Sequence, residues 1–188
     1  LSSPTGISAN KDTLLIFVGS ELTNDIRITL HHVTDNLPLG LINTELFKGL
    51  NFVKVSDSDN YKTFFIEYNV DTDTTASSKK LSDYPTIPIH IEGGEAFGYF
   101  DVNRHNDEDW RNMLKSNSHY IQVKGNRVLY HMKRSCFASV CPNTITDAIG
   151  WWDQCVSWQH ELMDVEKYYD RWNNLLMARD GDGGNMTA

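Results

Sequence analysis

Basic clusters, long apolar runs and cysteines are all scarce in this chain of 188 residues, and each shortage removes a class of protein. Lys and Arg number 17 against 25 Asp and Glu, for a formal net charge of −8. The densest basic cluster is Lys79-Lys80. Nucleic-acid backbones are bound by Lys and Arg that neutralise phosphates, so no nucleic-acid partner is expected. No apolar run approaches the roughly 18 residues of a membrane helix; Leu14–Val18 is only strand length, and no stretch reads as a signal peptide. Three cysteines, Cys136, Cys141 and Cys155, leave at least one thiol outside any internal pair. A Cys136–Cys141 bridge and free buried thiols both stay open, and so small a number says little about compartment. GxSxG, P-loop and HExxH patterns are absent.

What is present is an ordinary globular composition, 40% hydrophobic and 22% charged, enough for a sizeable core. The first part reads as all-β. Leu14–Val18 is a short buried strand. Ile26–Val33 alternates, with Ile26, Ile28 and Leu30 on one face and Arg27, Thr29 and His31 on the other. Leu50–Val55 and Thr63–Val70 follow around the turn-rich SDSDNY, and Phe64, Ile66, Tyr68 and Val70 share one face. Short strands at this spacing point to a sandwich. Residues 71–83 are polar and poor in aromatics, and make the best linker.

The most informative stretch runs from Pro85 to Ser116: a strand, a Gly-Gly break, a second strand and a capped helix. Ile87, Ile89 and Ile91 alternate with Pro88, His90 and Glu92, and Pro88, which lacks an N–H, marks an edge strand. Gly93-Gly94 permits a bend or a close approach. Asn106 is a good N-cap, followed by Asp107, Glu108 and Asp109 where the helix dipole favours acid. Trp110, Met113 and Leu114 have the spacing of a buried helix face.

Further on, Gly125-Asn126 between His119–Lys124 and Arg127–Lys133 signals a two-residue hairpin. A long helix is expected over Thr144–Lys167, opened by Thr144 and Asp147 as an acidic capping box. Ile145, Ile149, Trp152, Val156, Gln159 and Met163 form its apolar stripe, widened by Cys155 and Leu162. Trp151 and Trp158 lie off that stripe, whereas Trp110 and Trp152 read as core. Arg171–Asp180 reads as a strand.

Few patterns suggest chemistry. His160-Glu161-Leu162-Met163-Asp164 approaches a zinc-binding helix, which needs two ligands at i and i+4 on one face around a glutamate base. Asp164 stands where the second histidine should be, and the pair is read as an exposed, charged helix end. His31 and His32 point to opposite faces of a strand and cannot grip one ion together; one is expected near the core and one exposed. His105 beside Asp107 and Asp109 is read as part of a helix start. Cys155 on the apolar stripe is read as a buried thiol rather than a nucleophile.

IHIEGGEAFGYFDVNRHNDEDW resembles a signature block of the enhancin- and mucinase-type zinc metallopeptidases, peptidase family M-sixty. The matching residues are Ile91-Glu92-Gly93-Gly94, Gly98-Tyr99-Phe100, and His105, Asp107 and Trp110. PTGISANKDTLLIFV resembles the family's opening strand, and Lys48, Gly49, Leu50, Asn51, Phe65, Ile66 and Tyr68 match its repeat of sandwich strands. WWDQCVSWQHELMDVEKYYDRWNNLLMARD resembles a helix–strand segment that precedes the family's HExxH motif. The resemblance runs from Pro4 to Ala188.

It implies an α+β chain that is the N-terminal half of such an enzyme. Residues 1–78 would be an antiparallel β-sandwich accessory domain. Residues 79–188 would be the first, mixed α/β part of a zincin-like catalytic domain, incomplete. Zinc would be held in the parent enzyme by two histidines of HExxH and a downstream glutamate. None of these is in the sequence, so no catalytic residue, metal ligand or activity is expected of this chain alone. The implied partners are a mucin-like glycoprotein or glycan and the C-terminal catalytic portion, and the implied location is secreted, periplasmic or cell-surface. Zincins pair an edge strand with extended substrate, which makes Ile87, Ile89 and Ile91, with Gly93 and Gly94, the substrate-binding candidates. The alternative is a stand-alone carbohydrate- or protein-binding β-sandwich module.

Overall fold

The computed structural model describes residues 2–23, 25–33, 42–55, 62–70, 81–116, 118–168, 175–180 and 186–187. They fall into two compact units, Leu1–Ala96 and Phe97–Ala188. Strands dominate, with α-helices confined to the second unit among the described residues, an α+β composition. No helix among them is long and apolar enough to cross a membrane.

The first unit contains β1 (Ser2–Ala9), β2 (Thr13–Val18), β3 (Ile26–Val33), β4 (Ile42–Leu46), β5 (Gly49–Lys54), β6 (Lys62–Val70), β7 (Ile89–Glu92) and β8 (Glu95–Ala96). They form a five-stranded sheet, β4-β3-β6-β1-β8, and a three-stranded sheet, β5-β2-β7, both antiparallel. The alternation read in β3 helps join the sheets; β2, read as a buried strand, alternates too, with Leu15 and Phe17 exposed. Leu14, Ile16 and Val18 from one sheet and Ile26, Ile28, Leu30 and Phe64 from the other make one core cluster. Each such side chain, fully buried, contributes about 1.5–3 kcal/mol.

Two strands escaped the sequence pattern. β1 carries Pro4 and Gly6, the latter at φ +68, and its register to β6 shifts between Pro4 and Ser8. A bulged strand loses the period of two on which pattern reading depends. β4, INTEL, is short and mostly polar. In β6 both Phe64 and Phe65 are buried, so the single apolar face expected there is replaced by burial on both faces. The expected SDSDNY turn and most of the expected linker lie outside the described residues. So does the expected boundary at 78/79. Ile89–Glu92 pairs with β2 and Glu95–Ala96 with β1, which groups these residues with the first unit.

The second unit contains β9 (Phe100–Asp101), α1 (Asp107–Met113), β10 (Tyr120–Lys124), β11 (Val128–Lys133), α2 (Arg134–Val140), α3 (Thr146–Leu162), β12 (Leu176–Asp180) and β13 (Met186–Thr187). The sheet order is β13-β12-β11-β10-β9, with β9–β10 and β11–β12 parallel and the other pairs antiparallel. α1 starts as its sequence dictates. The Asn106 side chain accepts from the N–H groups of Glu108 and Asp109 at 2.8 and 3.2 Å, and the Asp109 carboxylate accepts from Asn106 N–H at 2.9 Å. This is a complete capping box. It holds Trp110 fully buried, edge-on to Phe100 and Phe137 at 5.5 and 5.3 Å, with its indole N–H donating to the Cys141 carbonyl at 2.7 Å.

The hairpin and the inner face of the long helix differ from expectation for one shared reason. The β10–β11 connection is Gly125–Arg127, not a two-residue turn, and it is closed by the Asp153 carboxylate of α3. That carboxylate accepts from the backbone N–H groups of Asn126, Arg127 and Val128 at 2.8, 2.7 and 3.2 Å. Asp153 therefore lies on the buried face with Ile149 and Val156. Gly125 leaves room for it, since a Cβ there would meet Asp153 Oδ1 at 2.8 Å. α3 begins after Ile145 with no side-chain cap, so Thr144 and Asp147 form no capping box. It ends at Leu162, where Val165 N–H bonds the His160 carbonyl and Asp164 N–H the Glu161 carbonyl, with Asp164 at φ +55. That is a Schellman stop with an aspartate where glycine is usual. α2 was not anticipated: RSCFASV buries only Phe137, too little for a periodic signal.

Candidate functional site

The five substrate-binding candidates sit at one edge of the three-stranded sheet. β7 pairs with β2 in the register Leu15↔Glu92 to Val18↔Ile89, and no described strand covers its other edge. Ile87, Ile89 and Ile91 are half-buried against the first core. Ile87 precedes the strand, and Pro88 contributes its carbonyl, which accepts from Gly19 N–H at 2.9 Å. Gly93 and Gly94 have φ +97 and +70, and a Cβ at either would fall 2.7–2.8 Å from the Thr13 or Ser8 carbonyl oxygen. Backbone packing thus accounts for both glycines. β7 belongs to the first unit, not to the mixed sheet.

Beside that edge the outer face of the same sheet is apolar. Leu15 pairs across to Phe52 and Phe17 to Leu50. With Phe47 these residues are 37, 71, 51, 55 and 63% exposed, respectively, and His90 and Glu92 border them on β7. The Asn51 side chain fixes the β4–β5 turn, accepting from Phe47 N–H at 2.9 Å and donating to its carbonyl at 2.7 Å. Contiguous exposed apolar surface of this kind marks an interaction face. Sequence reading missed it because β5, GLNFVK, carries Leu and Phe on one face and Gly, Asn and Val on the other, a weak contrast.

The histidines serve local structure. His31 is buried with Nε2 2.6 Å from the Glu67 carboxylate, which also accepts from Asn69 at 3.0 Å. Burial pushes the Glu67 carboxyl up, but the Asn69 and His31 hydrogen bonds and the His31 charge outweigh it and hold the group below its ordinary value. His32 is half-buried, edge-on to Phe64 at 6.0 Å, so neither member of the pair is the exposed one expected. Burial first, then the charges of Lys62 and His31, lower its pKa. His105 Nδ1 accepts from Asp101 N–H at 2.9 Å and closes the β9–α1 turn.

The HELMD segment does not make a metal grip. Asp164 lies past the end of α3, paired with Lys167, and His160 Nδ1 faces Glu166 at 3.7 Å. Glu166 is held by Arg127 through both guanidinium nitrogens, which lowers its pKa. These residues do not fit a zinc ion. All three cysteines are free, with Cys136 exposed rather than buried. Trp151 and Trp158 are 68 and 49% exposed; Trp152, read as core, is 45% exposed. Trp172 lies outside the described residues.

No family model and no curated protein matches the chain. Solved structures do. A metallopeptidase in complex with Tn antigen is similar over 93% of this chain and 32% of its own, at 28% identity and TM-score 0.74. A metallopeptidase from Bacteroides thetaiotaomicron is similar over 93% of this chain and 29% of its own, at 27% identity and TM-score 0.75. The M60 catalytic domain of Clostridium perfringens ZmpC, in complex with the sialyl T antigen, shares the fold over 98% of this chain and 40% of its own, at 15% identity and TM-score 0.71. The chain thus spans about a third of the first two, less than the half expected, and its structural neighbours include M60-type metallopeptidases, as the signature block implies.

Proposed function

We propose that this chain is a non-catalytic N-terminal portion of a secreted or surface zinc metallopeptidase acting on mucin-type glycoproteins. The single observation that carries the reading is fold similarity to a metallopeptidase over 93% of the chain at 28% identity, with the signature residues from Ile91 to Trp110 in one block. In this reading the two-sheet unit is an accessory β-sandwich, and the second unit opens a zincin-like catalytic domain. Zinc and the groups that activate its water belong to chain outside residues 1–188. No step of hydrolysis is assigned to the residues in hand. The free edge of β7, with Ile87, Ile89, Ile91, Gly93 and Gly94, is a place for an extended peptide to add as a strand.

The experiment is cleavage of an O-glycosylated mucin by the purified 188-residue chain with added zinc. The reading expects no turnover; turnover would overturn it.

A second reading has its own support. The face of Leu15, Phe17, Phe47, Leu50 and Phe52 is what a binding module would present. Its apolar, hydroxyl-poor chemistry favours protein over glycan. If glycan-array screening finds tight, specific binding by the chain alone, the glycan form of that module gains over the protein form.

A further inference from the structure

The core of the second unit is open between α2 and α3. α2, α3 and β11 enclose a cavity of about 180 Å³ lined by Tyr130, Met132, Phe137, Val140, Ala148 and Trp152, with Cys136 on its wall. Val140 and Trp152 at its rim are 78 and 45% exposed. Tyr130 is only 5% exposed, and its hydroxyl, closed off from the slot, has no hydrogen-bond partner among the described residues.

Two constraints define the occupant. The first is size. Apolar cavities of about 150 Å³ hold one benzene ring, whereas pockets for drug-sized ligands run to about 300–1,000 Å³. The second is chemistry. A sugar in this apolar lining would bury hydroxyls without partners, at about 1–3 kcal/mol each. One large apolar side chain meets both. The matching solved chains are two to three times as long as this one, so the fold includes further polypeptide able to supply it.

We propose that this slot seats a single aromatic or leucine-like anchor, contributed by metallopeptidase polypeptide outside residues 1–188. The inference rests on the proposed function for the identity of that polypeptide. Cys136 is the reporter.

The test labels Cys136 with N-ethylmaleimide, read by mass spectrometry, in the 188-residue chain and in the longest polypeptide its gene encodes. Labelling is expected to be at least tenfold slower in the longer polypeptide. Ala148→Phe, which fills the slot from within, is expected to keep or raise the melting temperature of the 188-residue chain. It should lower that of the longer one by several degrees. Equal labelling, or a shift of the same sign in both, overturns the inference. Protection that grows with concentration in the short chain alone means a second copy fills the slot, and also overturns it. A longer polypeptide that cleaves mucin but leaves Cys136 reactive refutes the slot and spares the proposed function. One that protects Cys136 but lacks peptidase activity does the reverse. A gene that encodes nothing further refutes both.

Discussion

The two units leave apolar surface uncovered in different places. In the first, Phe17, Leu50 and Phe52 stand on the outer face of a three-stranded sheet, while the core between the two sheets is closed by Leu14, Ile16, Val18, Ile28 and Leu46, each 0% exposed. In the second, the gap runs into the core itself, between α2 and α3, and reaches the Tyr130 ring. Protein interiors are normally packed without voids of this size. A closed core with an apolar outside reads as a complete module that meets a partner. An opened core reads as a module whose packing is completed by more chain.

That contrast can be broken by substitution. The largest effect is expected at Trp110→Ala, which removes a fully buried indole and its hydrogen bond to Cys141. It should cost about 3–5 kcal/mol, with hydrogen exchange rising through the second unit and not in the first. A uniform rise would mean that the units unfold together. Asp153→Ala should cost about 2–3 kcal/mol by stranding three N–H groups, with the first loss of exchange protection at Asn126–Val128. Asp164→Gly relieves a left-handed aspartate and should stabilise by about 1 kcal/mol, measured by urea denaturation.

The first unit has a pH signature of its own at His32, while a depressed carboxylate occurs in both units, Glu67 in the first and Glu166 in the second. His32 has a folded pKa below its ordinary value of 6.5, so the unfolded chain takes the proton first. Stability is full above that value and declines as pH falls through it toward the folded pKa. Glu67, also depressed, adds a second decline as pH falls below its ordinary 4.5. His32→Gln should flatten the first decline and leave the second, which urea midpoints between pH 7.5 and 3.5 would resolve. The smallest effect is expected for Phe17→Ser with Phe52→Ser. At exposed sites the change should stay within about 0.5 kcal/mol per site while solubility rises. A large loss would mean that the face is part of the fold rather than a surface for a partner.

Much of this organisation is legible in the sequence where a local rule acts alone. The alternation of Ile26–Val33 gives β3 with its ends correct, and Asn106 with Asp109 gives the start of α1. The rest is hidden where tertiary contacts override local signals. Asp153 interrupts an apolar stripe because it closes a hairpin from the neighbouring element, so the turn at Gly125-Asn126 and the inner face of α3 were both misread. α3 stops five residues early because Asp164 takes a conformation that glycine would have signalled. β1 is obscured by the irregularity around Gly6. The candidate edge at Ile89–Glu92 was visible through Pro88. The apolar face of β2 and β5 was not, since it joins strands distant in sequence; nor was the slot at Tyr130, which depends on how the consecutive elements β11, α2 and α3 pack rather than on a local pattern.

Zinc stoichiometry, measured by plasma emission spectroscopy after dialysis of the purified chain, tests the central claim most directly. The account predicts no tightly held zinc in residues 1–188 and about one ion per molecule in a longer polypeptide containing HExxH. One zinc per molecule in the 188-residue chain, lost on replacing His160, would contradict it.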